Sequence, residues 1–152
     1  VGGLKKFSFK LEPVLKYKND TLELLRNEHA KILLRIVKQE EKIAGLEAQR
    51  DACAAEFDAK KAGGIAPMEA VNYQNYLTSQ NAIIRREYEV LAKIREEEER
   101  KKEEVLEARR DSLAIEKLKE LRKEEYRKED AREQEMFIEE FVSNSRAADR
   151  GM

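Results

Sequence analysis

The feature that most constrains this chain is a stripe of mainly apolar residues spaced alternately four and three apart, which never slips phase through the first half of the sequence. It runs through Leu11, Leu15, Lys18, Leu22, Leu25, His29, Ile32, Ile36, Gln39, Ile43, Leu46, Arg50, Cys53 and Phe57. A repeat of 3.5 residues falls just short of the 3.6 of a straight α-helix, so a stripe held this long asks for a partner helix winding left-handedly around it. The second half carries the same spacing through Tyr73, Leu77, Gln80, Ile84, Glu87, Leu91, Ile94, Glu98, Lys101, Val105, Ala108, Ser112 and Ile115. Between the two stripes lies the only strong break, Gly63-Gly64-Ile65-Ala66-Pro67. The expected fold is therefore all-α, with two long helices forming an antiparallel coiled-coil hairpin.

Local signals set the boundaries. Pro13 suits a helix start, where its missing N–H needs no partner. Gly63-Gly64 ends the first helix, and Pro67 followed by Glu69 opens the second. The reading is one coiled-coil unit over residues 1–152, with helix 1 over 13–61, a turn over 62–66, helix 2 over 67–142 and a frayed tail over 143–152. If the chain folds back at Gly64, residue i faces residue 130 minus i. Phe57 then meets Tyr73, Cys53 meets Leu77, Leu46 meets Ile84, Ile36 meets Ile94, Leu25 meets Val105 and Leu15 meets Ile115. Polar seam residues largely meet polar ones, with Arg50 by Gln80, His29 by Lys101 and Lys18 by Ser112. The exceptions, Ile32 by Glu98 and Ile43 by Glu87, leave the register open by a few residues.

Helix 1 would span roughly 75 Å, and helix 2 would overhang it by roughly 33 Å beyond Lys119. The start of that overhang is nearly all charge. Apolar residues return as Met136, Phe137, Ile138, Phe141 and Val142, with nothing in the predicted hairpin to cover them; Phe7 and Phe9 lie equally beyond the seam.

Composition supports one extended unit and narrows the function. Charged residues make up 41% of the chain, with 6 Gly, 2 Pro and no Trp, a profile of long helices. The 31 Lys+Arg and 32 Asp+Glu interleave to a net charge of -1, which offers no basic stripe for nucleic acid. The longest aliphatic run, Ile32-Leu33-Leu34, is far short of a membrane span, and no signal-peptide pattern opens the chain. A soluble cytoplasmic protein is expected, and the single Cys53 gives no sign of an oxidising compartment.

Catalytic parts are missing from the sequence. The only histidine, His29, sits on the predicted seam and reads as a structural polar layer, and Cys53 reads as a small core residue. No metal set can be built around one histidine and one cysteine, and Gly63-Gly64 lacks the Lys-Ser or Lys-Thr that a phosphate loop requires. No enzyme, cofactor or small-molecule substrate is expected. Apolar residues off the seam carry more information: Tyr76, Ile83 and Val90 recur every seven residues on helix 2, and Leu34 and Val37 lie on the outer side of helix 1. Self-association into a structural scaffold and docking of a partner both fit this pattern.

With these residues placed, the chain resembles the FliJ family, a small soluble component of bacterial flagellar type III protein export. The resemblance runs essentially end to end. It is carried by Phe7-Ser-Phe9-Lys-Leu11-Glu-Pro-Val14-Leu15, by Gly64-Ile65 through Tyr73-Gln-Asn-Tyr76-Leu77, and by Glu116-Lys-Leu118-Lys-Glu-Leu121-Arg-Lys-Glu-Glu125. The stalk proteins of virulence type III secretion are similar near the start, and the Gly64 to Leu77 stretch favours the flagellar branch. The resemblance implies a hairpin like the central shaft of rotary ATPases, binding the export ATPase hexamer, the export-gate platform membrane protein and export chaperones. It also implies a cytoplasmic protein held peripherally at the inner membrane at the flagellar base. In the family an aromatic and an aliphatic residue one turn apart, just after the loop, mark the gate face. Tyr76 matches the first, but the second is Gln80 here, so the gate and chaperone patch is expected from Tyr73, Tyr76, Gln80 and Ile83. Phe7, Phe9, Phe137, Ile138, Phe141 and Val142 are then expected to enter the ATPase ring.

Overall fold

In a computed structural model, which describes residues 6–151, the chain is two helices packed against each other, with no strand among the described residues. Helix α1 spans Glu12–Gly63 and α2 spans Pro67–Arg150. Each end follows from local chemistry. Glu12 stands in the first turn of α1 and Lys60 and Lys61 in the last, each favourable to the helix dipole. Gly64 takes φ +94°, a conformation that a side chain would strain, and its N–H reaches the Lys61 carbonyl at 3.4 Å. Pro67 opens α2 with Glu69 in its first turn, and Lys60 pairs with Glu69 at 2.9 Å across the connection.

Contacts cluster into two compact units. One comprises Glu23–Leu106 and contains the turn; the other joins the residues up to Leu22 with those from Glu107 onward. In the turn-containing unit the core is Ile32, Ile43, Phe57, Ile84, Leu91 and Ile94. Leu25, Ile36, Leu46, Leu77 and Val105 complete its seam as half-buried residues. In the other unit Leu15 and Leu22 are buried beside Ser112, and Ile115 is half-buried. Every apolar residue of the two stripes but one is buried or half-buried. Leu11, at the end of the stripe, is exposed.

The cross-helix contacts give the register. Phe57 stacks on Tyr73 with ring centres 5.0 Å apart, Lys101 pairs with Glu28 at 2.9 Å, Lys18 with Asp111 at 3.5 Å and Lys119 with Glu12 at 2.8 Å. These pairs lie on the 130-minus-i rule or one residue to either side of it. The two expected mismatches resolve sideways, because Glu98 reaches back to His29 at 2.9 Å and Glu87 to Gln39 and Lys42. Leaving those carboxylates unpaired in the seam would be costly. The expected facing of His29 on Lys101, Lys18 on Ser112 and Arg50 on Gln80 gives way to bonds with Glu98, three residues before Lys101, and with the adjacent Asp111 and Asn81.

Two expectations need correction. The tail expected to fray from residue 143 is helical as far as Arg150, with the Gly151 N–H bonded to the Ala147 carbonyl at 3.1 Å, and residue 152 lies outside the described residues. No Pro or Gly occurs from Ser143 to Arg150, and Ala147 and Ala148 favour helix. The overhang also begins later than expected. Phe7 rests on Tyr126 with centroids 5.6 Å apart and lies under the Lys123 ammonium at 6.0 Å. Phe7 and Phe9 are therefore half-buried, in a groove shared with Leu118, Arg122 and Glu125.

Candidate docking surfaces

Each unit leaves apolar side chains open to solvent. In the turn-containing unit, Tyr73, at 3° to the Phe57 ring, is anchored by stacking, and its hydroxyl donates to Glu56 at 3.1 Å. One turn on, Tyr76 is 42% exposed. The two tyrosines line an open groove with Gln49, Ala52, Cys53 and Asn72. Ile83 is half-buried beside the seam and Val90 is exposed, so the every-seventh-residue stripe forms a partly open face of α2. Gln80 does not join it. It sits in the seam, half-buried, with its Oε1 buried and accepting no hydrogen bond among the described residues. The structure therefore gathers Tyr73 and Tyr76 in one groove, sets Ile83 farther along the same face and turns Gln80 inward.

In the other unit, Phe137, Ile138, Phe141 and Val142 are 52%, 61%, 67% and 40% exposed. Among the described residues, no hydrogen bond, ion pair or ring contact joins this part of α2 to α1. Phe7 and Phe9 do not join this face, because their side chains are engaged near Tyr126. On α1, Leu33, Leu34 and Val37 form a further exposed group.

The electrostatics are those of an ion-paired coil. Glu87 is held below the ordinary 4.5 by the Gln39 amide, which donates to it at 2.6 Å, and by Lys42 at 3.1 Å. Lys101 is raised to about 12 by Glu104 and Glu28. The Tyr88 hydroxyl donates to Glu47 at 2.5 Å, which pushes its own ionisation upward. Sequence reasoning missed this last contact and the bond from Ser112 to Asn19; Tyr88 and Asn19 lie one residue beyond Glu87 and Lys18, so seam periodicity passes them by. Among the described residues, no group of three or more His, Cys, Asp or Glu is arranged to hold a metal. No described helix is long and apolar enough to cross a membrane.

Two long packed helices with a polar-layered seam and outward apolar side chains define a coiled-coil hairpin protein. A model of the flagellar FliJ protein family matches residues 7–147, nearly the whole of the 152-residue sequence, and the chain belongs to that family. It is accordingly a component of flagellar protein export, in a family that is non-catalytic. No curated protein and no solved structure matches it.

Proposed function

We propose that this chain is a stalk of the flagellar export machine, held peripherally at the inner membrane at the flagellar base. The reading gives α2 beyond Tyr126 to the export ATPase ring, and the Tyr73–Tyr76 groove, with Ile83 beside it, to the gate platform protein and export chaperones. One observation carries it: a helix presents four large apolar side chains to water. Such a face gains nothing in the free protein, whereas burial in a partner is worth roughly 1.5–3 kcal/mol per side chain before ordering costs. Phe7 supports the anchor indirectly, by bracing α2 at Tyr126.

Deleting the chain from Glu135 onward tests the assignment. Stimulation of the ATPase should fall sharply while the hairpin keeps its melting temperature. Full stimulation by the truncated protein would overturn it, and a loss of melting cooperativity would mean that the tail packs back on the hairpin. The exposed Leu33, Leu34 and Val37 favour a second reading, a self-associating scaffold. A measured mass separates the two, since the stalk is monomeric in dilute solution and the scaffold is not.

A further inference from the structure

The apolar face at the end of α2 has charged borders that determine what can cover it. A helix advances ~100° per residue, so Phe137, Phe141, Ile138 and Val142 fill one sector about 140° wide. Glu133 and Glu140 fall along one edge of that sector, and Glu135 and Glu139 along the other. No Lys or Arg occurs between Arg132 and Arg146. Arg132 is itself held by Glu129 at 3.1 Å, and among the described residues no ion pair engages any of the four border carboxylates. Among the described residues, the face is an apolar strip between two rails of carboxylates that no ion pair engages.

Three kinds of surface could receive an apolar strip, and the rails discriminate among them. A second copy of this face would set rail against rail in either orientation, and like charges across an interface oppose association. A lipid surface that binds amphipathic helices is typically anionic and selects basic borders, the opposite of these. A protein groove with an apolar floor and Lys or Arg on both rims matches strip and rails together. Resting on the reading of this helix as the ATPase-ring anchor, we infer that its socket is an apolar groove rimmed on both sides by basic side chains. The rail spacings make the match directional. Glu133 and Glu140 are two turns apart, ~10 Å along the axis, and Glu135 and Glu139 are ~6 Å apart, so the two rims carry their cations at different intervals.

The test uses the full chain and the purified flagellar export ATPase, with affinity measured from low to high salt. Two variants separate the contributions. One carries Glu133→Gln, Glu135→Gln, Glu139→Gln and Glu140→Gln together; the other carries Phe137→Ser and Phe141→Ser. Neither touches the seam, and unchanged melting confirms that the hairpin is intact. The glutamine variant should bind about tenfold more weakly at low salt and lose most of the salt dependence. The serine variant should bind more weakly at every salt concentration while keeping the wild-type slope. If the wild type binds and the glutamine variant matches it in affinity and slope, the basic rim is refuted and the ATPase reading stands. If the wild type does not bind, both fall. A wild-type dimer that the serine substitutions dissociate, or uptake by phosphatidylserine vesicles that they abolish, would identify a different occupant and overturn the inference.

Discussion

Replacing Ile43 by Ala tests whether the seam holds the fold. Ile43 is only 3% exposed and lines the same groove as Leu91, itself 4% exposed. The substitution removes three carbons, worth about 2.4 kcal/mol at roughly 0.8 kcal/mol per buried methylene. A two-stranded seam is one side chain deep, so water or local collapse can fill the gap, and the cavity penalty stays at the low end of its range. The expected loss is therefore about 2–3 kcal/mol. For a chain of this size, about 2–4 °C per kcal/mol translates that into a melting point lower by roughly 5–10 °C. Leu34→Ala, at a 53% exposed position on the outer face, is the control and should cost no more than about 0.5 kcal/mol. Circular dichroism melts with urea titrations measure both, and an unchanged m-value certifies that the difference lies in stability. Equal shifts for the two variants would refute the assignment of inner and outer faces.

The His29–Glu98 layer should behave as a polar pair tolerated inside an apolar seam: His29→Leu with Glu98→Leu raises the melting temperature, whereas His29→Ala alone strands the carboxylate and lowers it. Stability should also fall at both extremes of pH. The Glu87 carboxyl is depressed below 4.5, so its contribution is present above that value and lost as pH falls through the folded-state value; that of Lys101 is present below 10.5 and lost as pH rises through about 12. Urea midpoints across pH check this, and Glu87→Gln should flatten the acid limb. Phe7→Ala removes a ring pair worth roughly 0.5–1.5 kcal/mol, so amides of α2 around Tyr126 should exchange faster while those around Leu91 stay protected.

What the sequence alone determined is what depends on spacing along one helix. A 3.5-residue repeat is a local property, visible without knowing the partner, and it pointed to two long helices packed against each other. The 130-minus-i register followed because a short connection at a glycine leaves two helices little freedom to slide. Only the tertiary structure decided which polar atoms meet across the seam. Glu, Gln, Lys and Arg side chains are long enough to reach a turn in either direction, so Glu98 finds His29 and Glu87 finds Gln39 where strict facing set them by Ile32 and Ile43. Gln80 had two readings in the sequence, a seam position by its spacing and a gate-patch position by the family resemblance, and the structure decided for the seam. The placement of Phe7 on Tyr126 was equally hidden, because a segment outside a helix carries no period from which its contacts can be read. Periodicity tells which side of a helix is buried; distance and charge between side chains from different helices tell what each one touches there.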